Sequence, residues 1–64
     1  MKTEYVVEIY RKENDKFVQQ LDVFETYNEA KAFMNTTYIG DDCYIRAIVI
    51  YYDDEGNEIG YEGM

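Results

Sequence analysis

The sequence predicts a small α+β domain in which a four-stranded antiparallel sheet carries one helix on one face. Two pairs of alternating segments are each joined by a short polar turn, and one segment of helical periodicity separates the pairs. The length predicts a single domain over residues 1–64, because so short a chain buries only about 60% of the surface that it exposes when unfolded. The core is therefore expected to be one sheet with one element packed across it.

The first hairpin is predicted from strands at residues 4–11 and 17–25, which are rich in the β-branched and aromatic residues that suit a pleated surface. Asn14 and Asp15 accept turn conformations and lie in the polar segment between the two strands. Strict alternation assigns the residues of the second strand to two faces. One face carries Phe17, Gln19, Leu21 and Val23, and the other carries Val18, Gln20, Asp22 and Phe24.

The helix is predicted over residues 27–36. Thr26 and Glu29 match the capping box, in which two side chains satisfy free amides at the start of a helix. The apolar residues that then recur at helical spacing are Ala30, Phe33 and Met34. Their packing on the sheet is expected to hold the helix, because isolated helices of this length are marginally stable in water.

The second hairpin is predicted from strands at residues 43–52 and 58–62. Residues 53–57 form its turn, in which Gly56 is free to adopt a positive φ. A right-handed crossover through the helix places the third strand beside the first. The predicted strand order is therefore 2-1-3-4, antiparallel throughout.

The predicted core lies between the apolar side of the helix and the sheet face beneath it. Its members share that position: Tyr5, Val7, Ile9, Leu21, Val23, Ala30, Phe33, Met34, Ile45, Ala47 and Val49. Since a core this small leaves only a few kcal/mol of stability, loss of one large member is expected to unfold the domain.

The third strand is apolar on both faces, although one face of an antiparallel sheet is commonly solvated and polar. One helix covers one face, so the second face is expected to remain uncovered. Its apolar residues are Val6, Tyr10, Phe24, Ile48, Ile50 and Tyr52. Exposed apolar surface of this kind marks an interaction site. The alternatives are a homodimer, a different protein partner, or a twisted sheet whose tyrosines cover its own margin.

The residue types argue against an enzyme. Without histidine, there is no imidazole acid or base and no ordinary Ser-His or Cys-His nucleophile pair. Cys43 opens an apolar strand and is expected to be a small buried hydrophobe rather than a reactive thiol. The acidic residues lie in loops without the ligand spacing of an EF-hand, which leaves weak calcium binding at 53–58 as an alternative. The sequence predicts no catalytic residue, no cofactor and no dedicated metal site.

Charge is distributed unevenly along the chain. The net charge is −8, and residues 41–64 hold seven acids and one base, a net −6. Nucleic acids and anionic membranes are disfavoured as direct partners because both require a positive surface, whereas a basic protein surface is favoured. The predicted contact residues are those of the second hairpin: Tyr52, Asp53, Asp54, Glu55, Glu58, Tyr61 and Glu62. The alternative is that the acidity only keeps the protein soluble.

The sequence also predicts a cytoplasmic location. The N-terminal residues lack the basic and apolar regions of a signal peptide, and the longest apolar stretch, residues 47–52, is far too short to span a bilayer. The unpaired Cys43 is typical of a reducing compartment.

In size, acidity, lack of catalytic residues and plain α+β layout, the chain resembles the small inhibitors encoded by phages and other mobile elements, including anti-CRISPR proteins and other DNA mimics. The resemblance implies a non-enzymatic inhibitor that occupies a basic, nucleic-acid-binding site of a host enzyme. It is a likeness to a class, so no residue role is carried over from it. The alternative function is a small structural or assembly protein that forms a homodimer through its open sheet face.

Overall fold

Four strands form one antiparallel sheet in the computed structural model, which describes residues 2–64. The elements follow the chain as β1 (Lys2–Arg11), β2 (Phe17–Phe24), α1 (Tyr27–Thr36), β3 (Cys43–Tyr52) and β4 (Glu58–Gly63). Their order across the sheet is β2-β1-β3-β4. This confirms the predicted α+β fold, its single helix and its strand order. No helix within residues 2–64 is long and apolar enough to cross a membrane.

The turn between β1 and β2 closes on Arg11, whose backbone N–H donates to the Lys16 carbonyl at 2.9 Å. Asp15 has a φ of 56°, a left-handed conformation that Asp tolerates better than most residues. The Asn14 side chain accepts a hydrogen bond from the Lys16 amide at 3.1 Å. The turn is therefore held by backbone hydrogen bonds, by the Asn14 side chain and by the left-handed conformation of Asp15.

The helix begins at the predicted cap. The Thr26 hydroxyl oxygen accepts from the Glu29 amide at 3.3 Å and donates its proton to the Glu29 carboxylate at 2.8 Å. At the other end, the hydroxyls of Thr36 and Thr37 both donate to the Phe33 carbonyl, at 3.3 and 2.7 Å. Three of these bonds satisfy backbone groups that a short helix leaves without partners. The fourth joins the two cap side chains, so the Glu29 carboxylate reaches the Thr26 hydroxyl and not a backbone amide as in the predicted capping box.

The core lies where α1 crosses β1 and β2. Val7 and Ala30 are fully buried, and Ala47 is 3% exposed. Partly buried apolar side chains pack around these three: Tyr5, Leu21, Phe24, Phe33, Met34 and Ile45. The rings of Phe24 and Phe33 lie 5.3 Å apart between centroids. The small residues Ala30 and Ala47 allow the helix to approach the sheet closely. The aromatic rings of Tyr5, Phe24 and Phe33 pack around this contact.

Strand β2 departs from strict alternation at two places. The register with β1 shifts between Val7 and Glu8 and again between Ile9 and Tyr10. Each shift inserts one extra residue on β2, as a β-bulge does, and reverses which residues face the helix.

Three predicted positions on β2 are consequently wrong. Phe24, predicted on the uncovered face, pairs with Tyr5 and packs in the core. Val23, predicted in the core, pairs with Val6 on the other face and is 37% exposed. Phe17, predicted on the same face as Leu21, which packs in the core, pairs with Tyr10 on the other face and is 55% exposed.

Candidate protein-binding site

The face of the sheet opposite α1, called the open face below, is built by cross-strand pairs. Val6 of β1 lies between Val23 of β2 and Ile48 of β3, and Ile50 of β3 pairs with Tyr61 of β4. Other side chains of this face follow from the same register: Glu4, Glu8, Tyr10, Tyr44, Arg46 and Tyr52. The open face thus carries an apolar row across β2, β1 and β3 and an apolar pair across β3 and β4, with tyrosines and charged residues around them.

One end of the open face is closed by its own aromatic rings. Tyr10 and Tyr44 are stacked with centroids 5.7 Å apart and an interplanar angle of 19°, and Phe17 meets Tyr10 edge-on at 5.8 Å. The Arg46 guanidinium lies 5.7 Å from the centroid of the Tyr10 ring, within cation–π distance. We call these four residues the aromatic cluster.

Hydrogen bonds to carboxylates hold the tyrosines of the aromatic cluster. The Tyr10 hydroxyl donates to Glu8 at 2.9 Å, and this bond is the main cause that raises the pKa of Tyr10. The Tyr44 hydroxyl donates to Asp15 at 3.1 Å. The pKa of Tyr44 is raised mainly by the loss of hydration around its hydroxyl and, second, by this hydrogen bond. Because ring faces and hydroxyls already have partners, the prediction that tyrosines cover the sheet margin describes this end well.

The centre of the open face is also partly covered. Val6 lies on this face as predicted, but its neighbours leave only 5% of its surface exposed. Ile48 and Ile50 are half-buried. The apolar surface available to a partner is therefore smaller than the number of apolar residues on the open face suggests. It lies toward β2 and β4.

The opposite end of the open face, called the acidic end below, remains uncovered. Tyr61 is 69% exposed, while Tyr52 is half-buried between its partners Lys2 and Glu58. The neighbouring Glu4 carboxylate is the main cause that raises the pKa of Tyr52.

A cleft of about 400 Å³ opens beside the Tyr52 ring at this end. Its lining combines one base, one tyrosine, three acids and one glycine of the turn: Lys2, Tyr52, Glu4, Asp53, Asp54 and Gly56. The acidic end therefore offers a partner both an aromatic ring and carboxylates within one concave surface.

The turn between β3 and β4 is organised by Asp53. Its carboxylate accepts from the backbone amides of Glu55 and Asn57, both at 2.9 Å, and its amide donates to the Asn57 carbonyl at 2.9 Å. The bond from the Asn57 amide is the main cause that lowers the pKa of Asp53. Gly56 completes the turn with a φ of 88°. Asp53 thus fixes the loop, while Asp54 and Glu55 are the exposed acids at its tip.

The seven predicted contact residues do not share one surface. Tyr52, Glu58 and Tyr61 lie with the turn at the acidic end. Glu62 pairs with Val49 and therefore lies on the helix side, where it accepts a hydrogen bond from the Tyr51 hydroxyl. That bond is the main cause that raises the pKa of Tyr51. Alternation along β4 could have separated Glu62 from Tyr61 at the outset.

Two residues of the acidic end were missed from the sequence. Lys2 and Glu4 lie in β1 and reach Tyr52 only through the pairing of β1 with β3. Alternation along β1 places Glu4 on the open face together with Val6. Its position beside the second hairpin depends on the register between strands that are distant along the chain.

The acidic residues do not build a metal centre in the described part of the chain. No group of three or more His, Cys, Asp or Glu side chains within residues 2–64 is arranged to hold a metal ion. Cys43 has a free thiol, is half-buried at the start of β3 and pairs with Arg11.

Comparison with protein-family models, with curated proteins and with solved structures finds no match to this chain. Its function is therefore inferred from the geometry and charge of the open face.

Proposed function

We propose that this chain is a non-enzymatic protein-binding module whose acidic end binds a basic surface of a partner protein. One observation carries the proposal. At the acidic end, Tyr61 is 69% exposed and the Tyr52 ring lines a cleft rich in carboxylates. At the other end of the same face, the aromatic rings are occupied by one another and by Arg46. Exposed tyrosine is typical of the residues that dominate binding energy at interfaces.

The charge distribution supports a basic partner. Most of the net charge of −8 comes from residues 41–64, which contribute −6, and Asp54 and Glu55 are exposed at the tip of the turn. Charges at the rim of an interface mainly raise the rate of encounter with an oppositely charged surface. The tyrosines would then supply affinity, and the acids would raise the association rate and the selectivity for a basic partner.

The finer proposal concerns the partner. A small acidic domain that presents carboxylates beside aromatic rings is suited to a groove that normally holds phosphates and bases. We infer that the partner is a nucleic-acid-handling enzyme in the cytoplasm and that the chain acts as an inhibitor of the phage-encoded, DNA-mimic type. Duplex DNA should then compete with the chain for the same site, and the competition should weaken as salt is added.

The test is affinity capture with the tagged chain, compared with two variants of exposed tyrosines. Tyr61→Ala removes the ring at the acidic end, and Tyr38→Ala is the control because Tyr38 is 83% exposed in the loop after α1. The partner should be lost with Tyr61→Ala and retained with Tyr38→Ala, and its capture should decline between about 50 and 500 mM salt. Equal capture by all three proteins would contradict the proposal.

A homodimer is the second candidate, and the row formed by Val23, Val6 and Ile48 favours it. Val23 is 37% exposed at one end of that row. The hypothesis predicts twice the chain mass by light scattering at micromolar concentration, and soluble monomers from Ile48→Lys or Ile50→Lys. It ranks second because two chains of charge −8 repel each other. A monomer at every concentration would eliminate it.

A further inference from the structure

Strand β4 has one unpaired edge, and the hydrogen-bond register identifies which backbone groups lie on it. The Met64 amide donates to the Ala47 carbonyl at 3.0 Å. Val49 and Tyr51 pair in the same register with Glu62 and Gly60. In an antiparallel pair, residues that bond to the neighbouring strand alternate with residues that point away from it. Glu62 and Gly60 therefore direct their N–H and C=O groups toward β3, whereas Tyr61 and Gly63 direct theirs outward.

The two edges of the sheet differ in how well they could accept another strand. On β2, two bulges interrupt the ladder, and bulges are a common protection of sheet edges. On β4, the register is regular from Gly60 to Gly63, and its one shift lies at the start of the strand. Proline and lysine, which also protect sheet edges, are absent from both β2 and β4, so the bulges are what distinguish the two edges. The β4 edge is therefore the one open to strand addition.

The charges on β4 select the kind of strand that fits. In an antiparallel pairing of two β4 strands that sets Tyr61 opposite its copy, the two Glu62 carboxylates become diagonal neighbours at about 7 Å. Both chains also carry a net charge of −8. A strand with lysine or arginine would instead place a cation near Glu62 on the helix side and an apolar side chain near Tyr61 on the open face.

We propose that the β4 edge binds an extended basic segment of a partner protein as a fifth strand, through the outward N–H and C=O groups of Tyr61 and Gly63. This inference rests on the proposed function and adds the mode of binding. Main-chain hydrogen bonds supply affinity in such strand addition, and alternate side chains supply specificity. The preferred segment alternates basic with β-branched residues, because its two faces meet Glu62 on one side and Tyr61 on the other.

The test uses a blocked hexapeptide of alternating lysine and valine, titrated into the isotopically labelled chain and followed by NMR. The lysine peptide should slow hydrogen exchange at the Tyr61 and Gly63 amides by at least about ten-fold at saturation. A peptide with glutamate in place of lysine should leave both amides unchanged.

A matched pair of variants isolates the backbone contact. Gly63→Pro removes an outward N–H, and proline is tolerated where the N–H of an edge strand faces solvent. Gly63→Ala keeps the N–H, and there is room for its Cβ, since the nearest atom is Arg46 Nη2 at 4.0 Å. Gly63→Pro should weaken binding of the lysine peptide by about five-fold or more, the loss expected for about one hydrogen bond, while Gly63→Ala should bind like the parent.

The other outcomes are distinct. If the lysine peptide binds Gly63→Pro as tightly as the parent and perturbs Tyr52 and Glu4 instead, strand addition is refuted and the acidic end stands as the binding surface. If neither peptide binds, strand addition is also refuted, and the capture comparison of Tyr61→Ala with Tyr38→Ala decides the proposed function by itself. If the two amides become protected with rising protein concentration alone, a second copy occupies the edge and the proposal fails.

Discussion

Replacing Phe24 by alanine should destabilise the domain far more than replacing its neighbour Val23. The Phe24 ring is half-buried, and its centroid lies 5.3 Å from the centroid of the Phe33 ring. Phe→Ala in a full core costs about 3–5 kcal/mol, so a half-buried ring should cost about 2–3 kcal/mol. Val23 is 37% exposed on the open face, and losing its two methyl groups should cost about 0.5–1 kcal/mol. A domain of 64 residues has about 3–10 kcal/mol of stability in total, so Phe24→Ala removes a large share.

Urea unfolding followed by far-UV circular dichroism measures both costs. With an m-value of about 1 kcal/mol per molar urea for a domain of this size, Phe24→Ala should lower the midpoint by about 2–3 M and Val23→Ala by less than 1 M. The m-value should remain unchanged, because both variants expose nearly the same surface on unfolding as the parent does. If Val23→Ala lowers the midpoint more than Phe24→Ala does, β2 alternates without bulges and the described register is wrong.

Three further predictions concern the cap, the turn and the acidic tip. Thr26→Ala should cost about 1 kcal/mol through loss of the helix cap, whereas Thr26→Ser should retain most of that stability in the same urea assay. Asp53 has a lowered pKa in the folded state, so its contribution is present above the unfolded pKa and is lost as pH falls through the folded one. Asp53→Ala should accordingly lower the midpoint at pH 7, and the difference from the parent should shrink as the pH falls below the ordinary pKa of aspartate; a constant difference would contradict the role of the carboxylate. Changing Asp54 to Asn together with Glu55 to Gln should lower the association rate with the captured partner and flatten its salt dependence, while leaving dissociation unchanged by surface plasmon resonance.

Local sequence signals were sufficient for every helix and strand, because each was marked by its own periodicity and bounded by polar turn residues or a cap. The strand order was also predicted, because a right-handed crossover from β2 through the helix places β3 beside β1. The face of Phe24 could not be derived in this way. It depends on an extra residue near Leu21, and the position of that bulge is set by the pairing with β1, which the sequence of β2 alone does not specify.

The candidate site was predicted less completely than the fold, for a related reason. Tyr52, Tyr61 and the acidic turn are close in sequence and were identified together, but Lys2 and Glu4 come from a strand that is distant along the chain. Asp53 was predicted to be a contact residue because of its charge. In the structure its carboxylate accepts two backbone amides within its own turn, a role that depends on the conformation of residues 53–57.

The bulges of β2 also determine what kind of assembly the sheet can form. If both edges of a sheet are regular, the edge of one molecule can pair with the opposite edge of the next, and such head-to-tail contacts that do not close produce fibres. Here the irregular β2 edge is a poor acceptor for the regular β4 edge of another molecule. Strand addition would therefore be confined to β4, so that one chain takes up one partner segment.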